Sequence, residues 1–308
     1  SGVTGQMVAF EREYIDGKYH CTMVLLPLSS VANYEKKVPQ EWINEEGNGL
    51  KKEFIDYVLP LIQGEPKLPL VDSLPRYAHL KKVLANMLTL KYPYISVTDG
   101  SRRSYGGDQG KSENATMRSC GCGVIAAADV LLYLSRLYDC VRDAGLDPTG
   151  AISSEEYEKL TGLLRRRYFP LIPHAGINGV MLMTGMNLYF MRNRLPLSAE
   201  WRFFNRDIWE RIAKMLVEDI PVIRAVGPNF PFFWHNNRTV LYTKDSAGNY
   251  HQSSSTKAHY VTVTGLDESW AQISSWGRLL YINRTEFDEY TKKHSAGFLC
   301  SILYIKHK

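Results

Sequence analysis

Two cysteines and a distant histidine are the residues of this chain best suited to do chemistry. Cys120 and Cys122 stand one glycine apart in MRSCGCGVIAAADVLLYL, residues 117–134, and His259 follows Cys122 by 137 positions in AHYVTVTGLDESWAQISSWG, residues 258–277. A thiol attacks a carbonyl only as its thiolate, which a helix N-terminus or a nearby imidazole favours. Cys122 lies at the mouth of an apolar segment. Cys120 is one or two residues too early for that place, and Cys140 lies far down the segment, as inert core. Gly121 and Gly123 would let a carbonyl substrate approach the backbone closely. The competing reading takes both early cysteines as small core residues, and a histidine on the apolar face of a strand is usually a satisfied core residue too. The two features gain force only together.

These residues need elements to hold them. Residues 123–142 predict a helix with almost no polar face near its start, which makes it a buried one. Residues 153–167 predict an amphipathic helix with Ser153 or Ser154 as N-cap and Glu156 nearby, and residues 207–219 another that ends before Pro221. Short strands follow at 221–226, 239–243, 259–265, 271–276, 278–283 and 298–305, with a hairpin turn at 245–249. In the strand opened by His259, alternation puts Val261 and Val263 on the histidine's face. Upstream, residues 7–12 and 20–27 read as a strand pair turning at Asp16-Gly17. A helix follows in LKKEFIDYVLPLI, then an extended stretch over 65–76 and a short basic helix over 77–86. Helices followed by an antiparallel meander predict the α+β class. The composition shifts near residue 86, giving two domains, 1–86 and 87–308.

Composition narrows the partners. The 308 residues are 44% hydrophobic and carry a formal charge of +5. No apolar run reaches membrane-spanning length, and the cluster Arg165-Arg166-Arg167 lacks interleaved aromatic residues and reads as a solvated helix face. Neither a membrane nor a nucleic acid is an expected partner. Five cysteines at irregular spacing argue against a disulfide framework. The C-x-C pair has no second ligand pair nearby, so no metal and no cofactor is expected. No secretory signal is visible after Ser1, and a reduced, cytoplasmic location is expected.

Two resemblances sharpen these readings. TGQMVAFER (4–12), VANYEKKVPQEWIN (31–44), FIDYVLPLIQGEP (54–66) and SLPRYAHLKKV (73–83) resemble the C-terminal end of bacterial 6-phosphofructokinases of the kind that includes pyrophosphate-dependent enzymes. In that family the phosphate cradle, magnesium-binding acids and base lie upstream of these words, so the resemblance implies a small α/β fragment without kinase activity. A genuine gene fusion and a truncated reading frame both remain open. YGGDQGK, residues 105–111, comes after this segment and lacks a preceding apolar strand, so it is not expected to hold phosphate.

GCGVIAAAD, HYVTVTG and ISSWG in residues 87–308 resemble the papain-like cysteine peptidases, in which histidine follows cysteine by about 130–150 residues. The resemblance implies a helix-borne cysteine packed on an antiparallel sheet, with Cys122 as nucleophile and His259 as general base. Ser274 stands where the family has an orienting asparagine, and Trp276 would roof the histidine. Gln109, with Asn114 in reserve, would join the Cys122 N–H as oxyanion donor. The implied substrate is a peptide or amide, cleaved through an acyl-enzyme. Two alternatives stay open: a papain-like domain that binds without cutting, suggested by Ser274, and a regulatory appendage of a phosphofructokinase whose catalytic part is missing here.

Overall fold

The computed structural model describes residues 6–15, 18–27, 87–138, 140–141, 145–147, 149–203 and 208–308. The chain divides into two compact units, Ser1–Lys81 and Lys82–Lys308, so the division falls slightly before the composition shift at residue 86. In the first unit, β1 (Gln6–Ile15) pairs antiparallel with β2 (Lys18–Pro27), from Gln6↔Pro27 to Ile15↔Lys18. The expected turn at Asp16-Gly17, the helix in LKKEFIDYVLPLI, the extended stretch and the basic helix lie outside the described residues.

The second unit is mixed α and β, built around a mostly antiparallel sheet. Its elements run β3 (Leu88–Thr89), β4 (Ser96–Asp99), β5 (Arg102–Arg103), α1 (Ala115–Cys120), α2 (Cys122–Leu134), β6 (Ala151–Ser153), α3 (Ser154–Arg167), α4 (Gly179–Arg192), β7 (Leu197–Trp201) and α5 (Ile208–Val217). Then come β8 (Val222–Val226), β9 (Thr239–Lys244), β10 (Tyr250–Thr256), β11 (His259–Leu266), β12 (Trp270–Ser275), β13 (Arg278–Asn283), α6 (Arg284–His294) and β14 (Ile302–His307). Among the described residues the main sheet is ordered β10-β9-β13-β12-β11-β8-β14-β7, with β3 also on β11. A smaller sheet, β5-β4-β6, contains the parallel pair β4 and β6.

Helix α2 is the centre of the core. It packs on β11, and every residue from Gly123 to Leu134 is buried. A segment apolar on all sides can settle only in such a place. The helix ends at Ser135, short of the predicted 142, because the Ser135 N–H is shared among the carbonyls of Leu131, Leu132 and Tyr133. Arg136 then turns its guanidinium over the Tyr133 ring, 5.0 Å from the centroid.

Helix α3 starts with a serine cap that also binds the Glu156 side chain. Ser153, rather than Ser154, accepts the Glu156 N–H and donates its hydroxyl to the Glu156 carboxylate. Arg166 and Arg167 are exposed in its last turn, where cations suit the helix dipole. The predicted strand at 298–305 begins only at Ile302, because the N–H groups of Leu299 and Cys300 both close a turn onto the Ala296 carbonyl. Among the described residues no helix is long and apolar enough to cross a membrane.

Candidate active site

The site begins with a break between two helices. Helix α1 is capped by Asn114, whose side chain accepts the Met117 N–H. That role makes Asn114 a helix cap, and Gln109, not Asn114, lines the cavity that Cys122 borders. At Gly121 the chain stops and restarts as α2. A Cβ there would lie 2.5 Å from the Met117 carbonyl oxygen, so only glycine fits the junction. Gly123 is a packing glycine too, since its Cβ would meet Ile177 at 2.5 Å and the Tyr260 ring at 3.2 Å. Both glycines thus serve close packing of the chain on itself.

The junction separates the two thiols. Cys120 closes α1 and turns its S–H back to the Thr116 carbonyl, 3.2 Å away. Cys122 opens α2, whose N-cap Gly121 offers no side-chain cap, and it lines a narrow cavity. Cys122, Ile125, Ala126 and Asp129 form one wall, as their spacing along a single helix face requires. His259, Tyr260 and Thr262 of β11 form a second, and Ser274, Ser275 and Trp276 close the end of β12. Gly107 and Gln109 supply the remaining side. The cavity offers about 10 Å³ to the centre of a water-sized molecule, room for about one water or a carbonyl oxygen. Cys122 and His259, far apart in sequence, therefore border the same space.

Burial sets the resting charge state. It pushes the half-buried Cys122 thiol up to about 11, against backbone hydrogen bonds from Tyr260, Gly123 and Cys122 itself that pull the other way. Burial also pulls His259 down to about 4. At neutral pH the centre holds a thiol and a neutral imidazole, not a preformed ion pair. The His259 ring stacks on Trp276, with centroids 4.6 Å apart and planes 21° from parallel, as expected of a roof over the histidine.

The serine that meets the His259 ring is Ser275, not Ser274. Ser275 Oγ lies 2.8 Å from His259 Nε2, whereas Ser274 Oγ donates to the Tyr105 carbonyl at 2.8 Å. Successive residues of a strand face opposite ways, and the pairing of β11 with β12 shifts register between Val263 and Gly265. That shift, with the left-handed Trp276 (φ 51°) after the strand, decides which serine meets the ring. When Nε2–H donates to Ser275, Nδ1 keeps the lone pair a base needs. Ser275→Ala is expected to lower kcat about tenfold with little change in KM, because orientation is lost but the base remains. Ser274→Ala should instead lower stability by about 1 kcal/mol, with kcat nearly unchanged. Steady-state kinetics beside urea titrations check the pair.

Gln109 reaches the cavity on a 3-10 turn, Gln109–Lys111, capped by Asp108. One Nε2 hydrogen goes to the Arg118 carbonyl at 3.0 Å. The amide has a second hydrogen to offer an oxyanion. The first-turn N–H groups of Cys122 and Gly123 also turn toward the sulfur.

Asp129 is the site residue that sequence reasoning missed. It is buried in α2 and accepts the Tyr157 hydroxyl at 2.6 Å, the Tyr94 hydroxyl at 3.2 Å and the Gly107 N–H at 3.1 Å. Burial raises its pKa to about 6, partly offset by those hydrogen bonds. Its place is structural and positional: it ties the segment carrying Gln109 to the helix carrying Cys122. The one sequence signal was an acid seven residues after Cys122 in an otherwise apolar helix.

Asp129 and His259 make opposite contributions to acid stability. Between pH 6.5 and about 4 the unfolded chain protonates a histidine that the folded protein keeps neutral. Acidification through that window therefore removes about 3 kcal/mol. Between pH 3.8 and about 6 the folded protein keeps a proton on Asp129 that the unfolded chain releases, so stability from this group falls by about 3 kcal/mol as pH rises. Over pH 4–6 the two slopes oppose. Asp129→Asn is expected to uncover the histidine slope, with stability lost as pH falls. Urea unfolding at several pH values would contradict this if both proteins gave the same slope.

Comparison with known proteins finds similarity over part of the chain. A stretch of 81 residues, 26% of this chain, is 40% identical to the pyrophosphate–fructose 6-phosphate 1-phosphotransferase of Halomonas elongata and covers 19% of that protein. The enzyme of the same name from Xanthomonas campestris pv. campestris is 41% identical over 69 residues, 22% of this chain and 16% of its own length. That from Methylococcus capsulatus is 37% identical over 82 residues, 27% and 19% of the two chains. About a quarter of the chain is similar to this phosphotransferase. The chain thus spans less than a fifth of the length of these relatives. The matched lengths fit the segment whose words resemble a phosphofructokinase end. No family model matches, and no solved structure matches.

Proposed function

We propose that residues 87–308 form a papain-like cysteine hydrolase that cleaves a peptide or amide through an acyl-enzyme. The observation that carries this reading is the shared cavity, where Cys122 at the start of a buried helix and His259 at the start of β11 border one atom-sized space. The imidazole takes the thiol proton as sulfur attacks the carbonyl carbon. The carbonyl oxygen becomes an oxyanion, held by the N–H groups of Cys122 and Gly123 and by the second hydrogen of Gln109 Nε2. The imidazolium gives its proton to the leaving amine as the C–N bond breaks. Water, deprotonated by His259, then hydrolyses the thioester and restores the thiol. A weakly basic imidazole and a strongly held thiol proton make this a general-base reaction, in which charge develops only with substrate in place.

The test is a rapid-quench mass measurement with an activated ester. A transient adduct confined to Cys122 supports the proposal, and steady hydrolysis without any adduct on that residue contradicts it.

A second reading has its own support. The similarity to pyrophosphate–fructose 6-phosphate 1-phosphotransferases favours a chain, or part of one, that serves as a phosphofructokinase appendage. Mixing the chain with an intact pyrophosphate-dependent phosphofructokinase separates the two. Binding to that enzyme, or a change in its rate, would favour the second reading, and the hydrolase reading expects neither.

A further inference from the structure

The segment joining β8 to β9 projects a row of aromatic side chains that the hydrolase reading does not use. Phe230, Phe232, Phe233 and Trp234 are 40%, 48%, 56% and 75% exposed, and Phe298 beside them is 44% exposed. Their rings form two groups: Phe230 lies 5.8 Å from Phe233 and 5.5 Å from Phe298, and Phe232 lies 5.3 Å from Trp234. Isolated exposed apolar residues are ordinary, but a contiguous cluster marks a contact surface.

The loop is firmly held. Asn229, almost wholly buried, donates to the carbonyls of His235 and Asn237. Lys257 also donates to the His235 carbonyl, at 2.7 Å. The Phe230 N–H donates to the His294 carbonyl, and the Gly227 N–H to Cys300 Sγ. The aromatic tip is therefore a preassembled projection.

The segments that form and hold it carry basic residues and no acidic ones. From Gly227 to Lys244 the sequence has no Asp or Glu, and the same holds for His251–His259 and Lys292–Cys300. Those segments supply His235, Arg238, Lys257, Lys292, Lys293 and His294. Of these, Lys293 shares its charge with Glu289 at 3.6 Å. A receptor for a single apolar side chain would be concave, whereas rings exposed to this degree project. Projecting Phe and Trp ringed by cations suit the boundary of an anionic lipid layer, where aromatic rings sit among headgroups and cations meet phosphate.

We infer that the Gly227–Arg238 loop, with Phe298 and the basic end of α6, docks the protein peripherally on an anionic lipid surface. A loop that enters only the headgroup region needs no membrane-spanning helix, so the apolar-run argument against a membrane partner does not touch it. This inference stands on its own observations, apart from the proposed hydrolase.

Co-sedimentation of the full chain with vesicles tests it, using phosphatidylcholine alone and phosphatidylcholine mixed with phosphatidylglycerol. Binding to the anionic vesicles, weakened by salt, is expected. Tryptophan emission should shift to the blue and be quenched by brominated acyl chains, with both effects lost in Trp234→Phe. Trp234→Ala should weaken binding about tenfold, and Lys292→Gln about fivefold. Circular dichroism and thermal unfolding confirm that each variant remains folded. No binding at low salt would overturn the inference, as would binding unchanged in a folded Phe233→Ala/Trp234→Ala variant. Self-association that this double substitution abolishes, without vesicle binding, would assign the tip to a second copy of the chain and overturn it as well.

Discussion

Cys122→Ala is expected to leave a folded protein in which the proposed amide hydrolysis falls by about four orders of magnitude or more, to a level set by binding and the oxyanion donors alone. The loss is large because Cys122 carries the one thiol among the described residues that line the cavity. Cys120, the nearest thiol in sequence, is turned back onto α1. The substitution is mild for the fold, since alanine suits a helix start and the site is only half-buried. His259→Ala should cost nearly as much, and the double variant no more than either alone, because nucleophile and base act as one unit. The pH profile of the native protein is expected to carry a second mark of the proposed centre. With the imidazole pulled down to about 4 by burial, the acid limb of kcat/KM should fall near 4, not near 6.5. Progress curves for the single and double variants, with buffers spanning that range, check both statements. A wild-type rate retained by Cys122→Ala would contradict them.

Gly107→Ala is the second large effect, and it acts on the scaffold. A Cβ on Gly107 would sit 1.9 Å from the Tyr157 hydroxyl and 2.4 Å from the ring carbon that bears it. Tyr157 cannot simply swing away. It is buried, and its hydroxyl is the shortest donor to Asp129. Moving it would leave a buried carboxylate short of a partner, so the single methyl is expected to cost about 3 kcal/mol or more. It should also slow hydrolysis by displacing Gln109, two residues on. Gly110→Ala is the control. Its Cβ would lie 3.2 Å from an Asp108 carboxylate oxygen on an exposed turn, and a cost below about 1 kcal/mol is expected. Urea midpoints compare the two directly, and equal losses would contradict the account.

The sequence made the site's two ends readable and its supports much less so. The helix of Cys122 could be predicted because its apolar residues leave no face for water. The strand of His259 could be predicted because its residues alternate. Asp129 was hidden because one acid in an apolar helix looks like an exception until Tyr94, Tyr157 and Gly107 are seen around it. The choice between Ser274 and Ser275 depended on a register shift that alternation cannot reveal.

Whole elements escaped for physical reasons as well. Helix α4 has a weak polar pattern, and two of its glycines exist to admit Trp201 and Phe169. Strand β10, YHQSSST, lies at the sheet edge and has no apolar face to announce it. Helix α6 is mostly charged, and its cap, Asn283, is also the last residue of β13.

Reaction with a peptidyl epoxide tests most directly whether Cys122 and His259 form one reaction centre. Ring opening needs the sulfur as nucleophile and a neighbouring acid to protonate the departing oxygen. Peptide mapping should find a single adduct, on Cys122, that disappears in His259→Ala. Slow adducts in equal amount on Cys120 and Cys122, unchanged when His259 is replaced, would contradict the account.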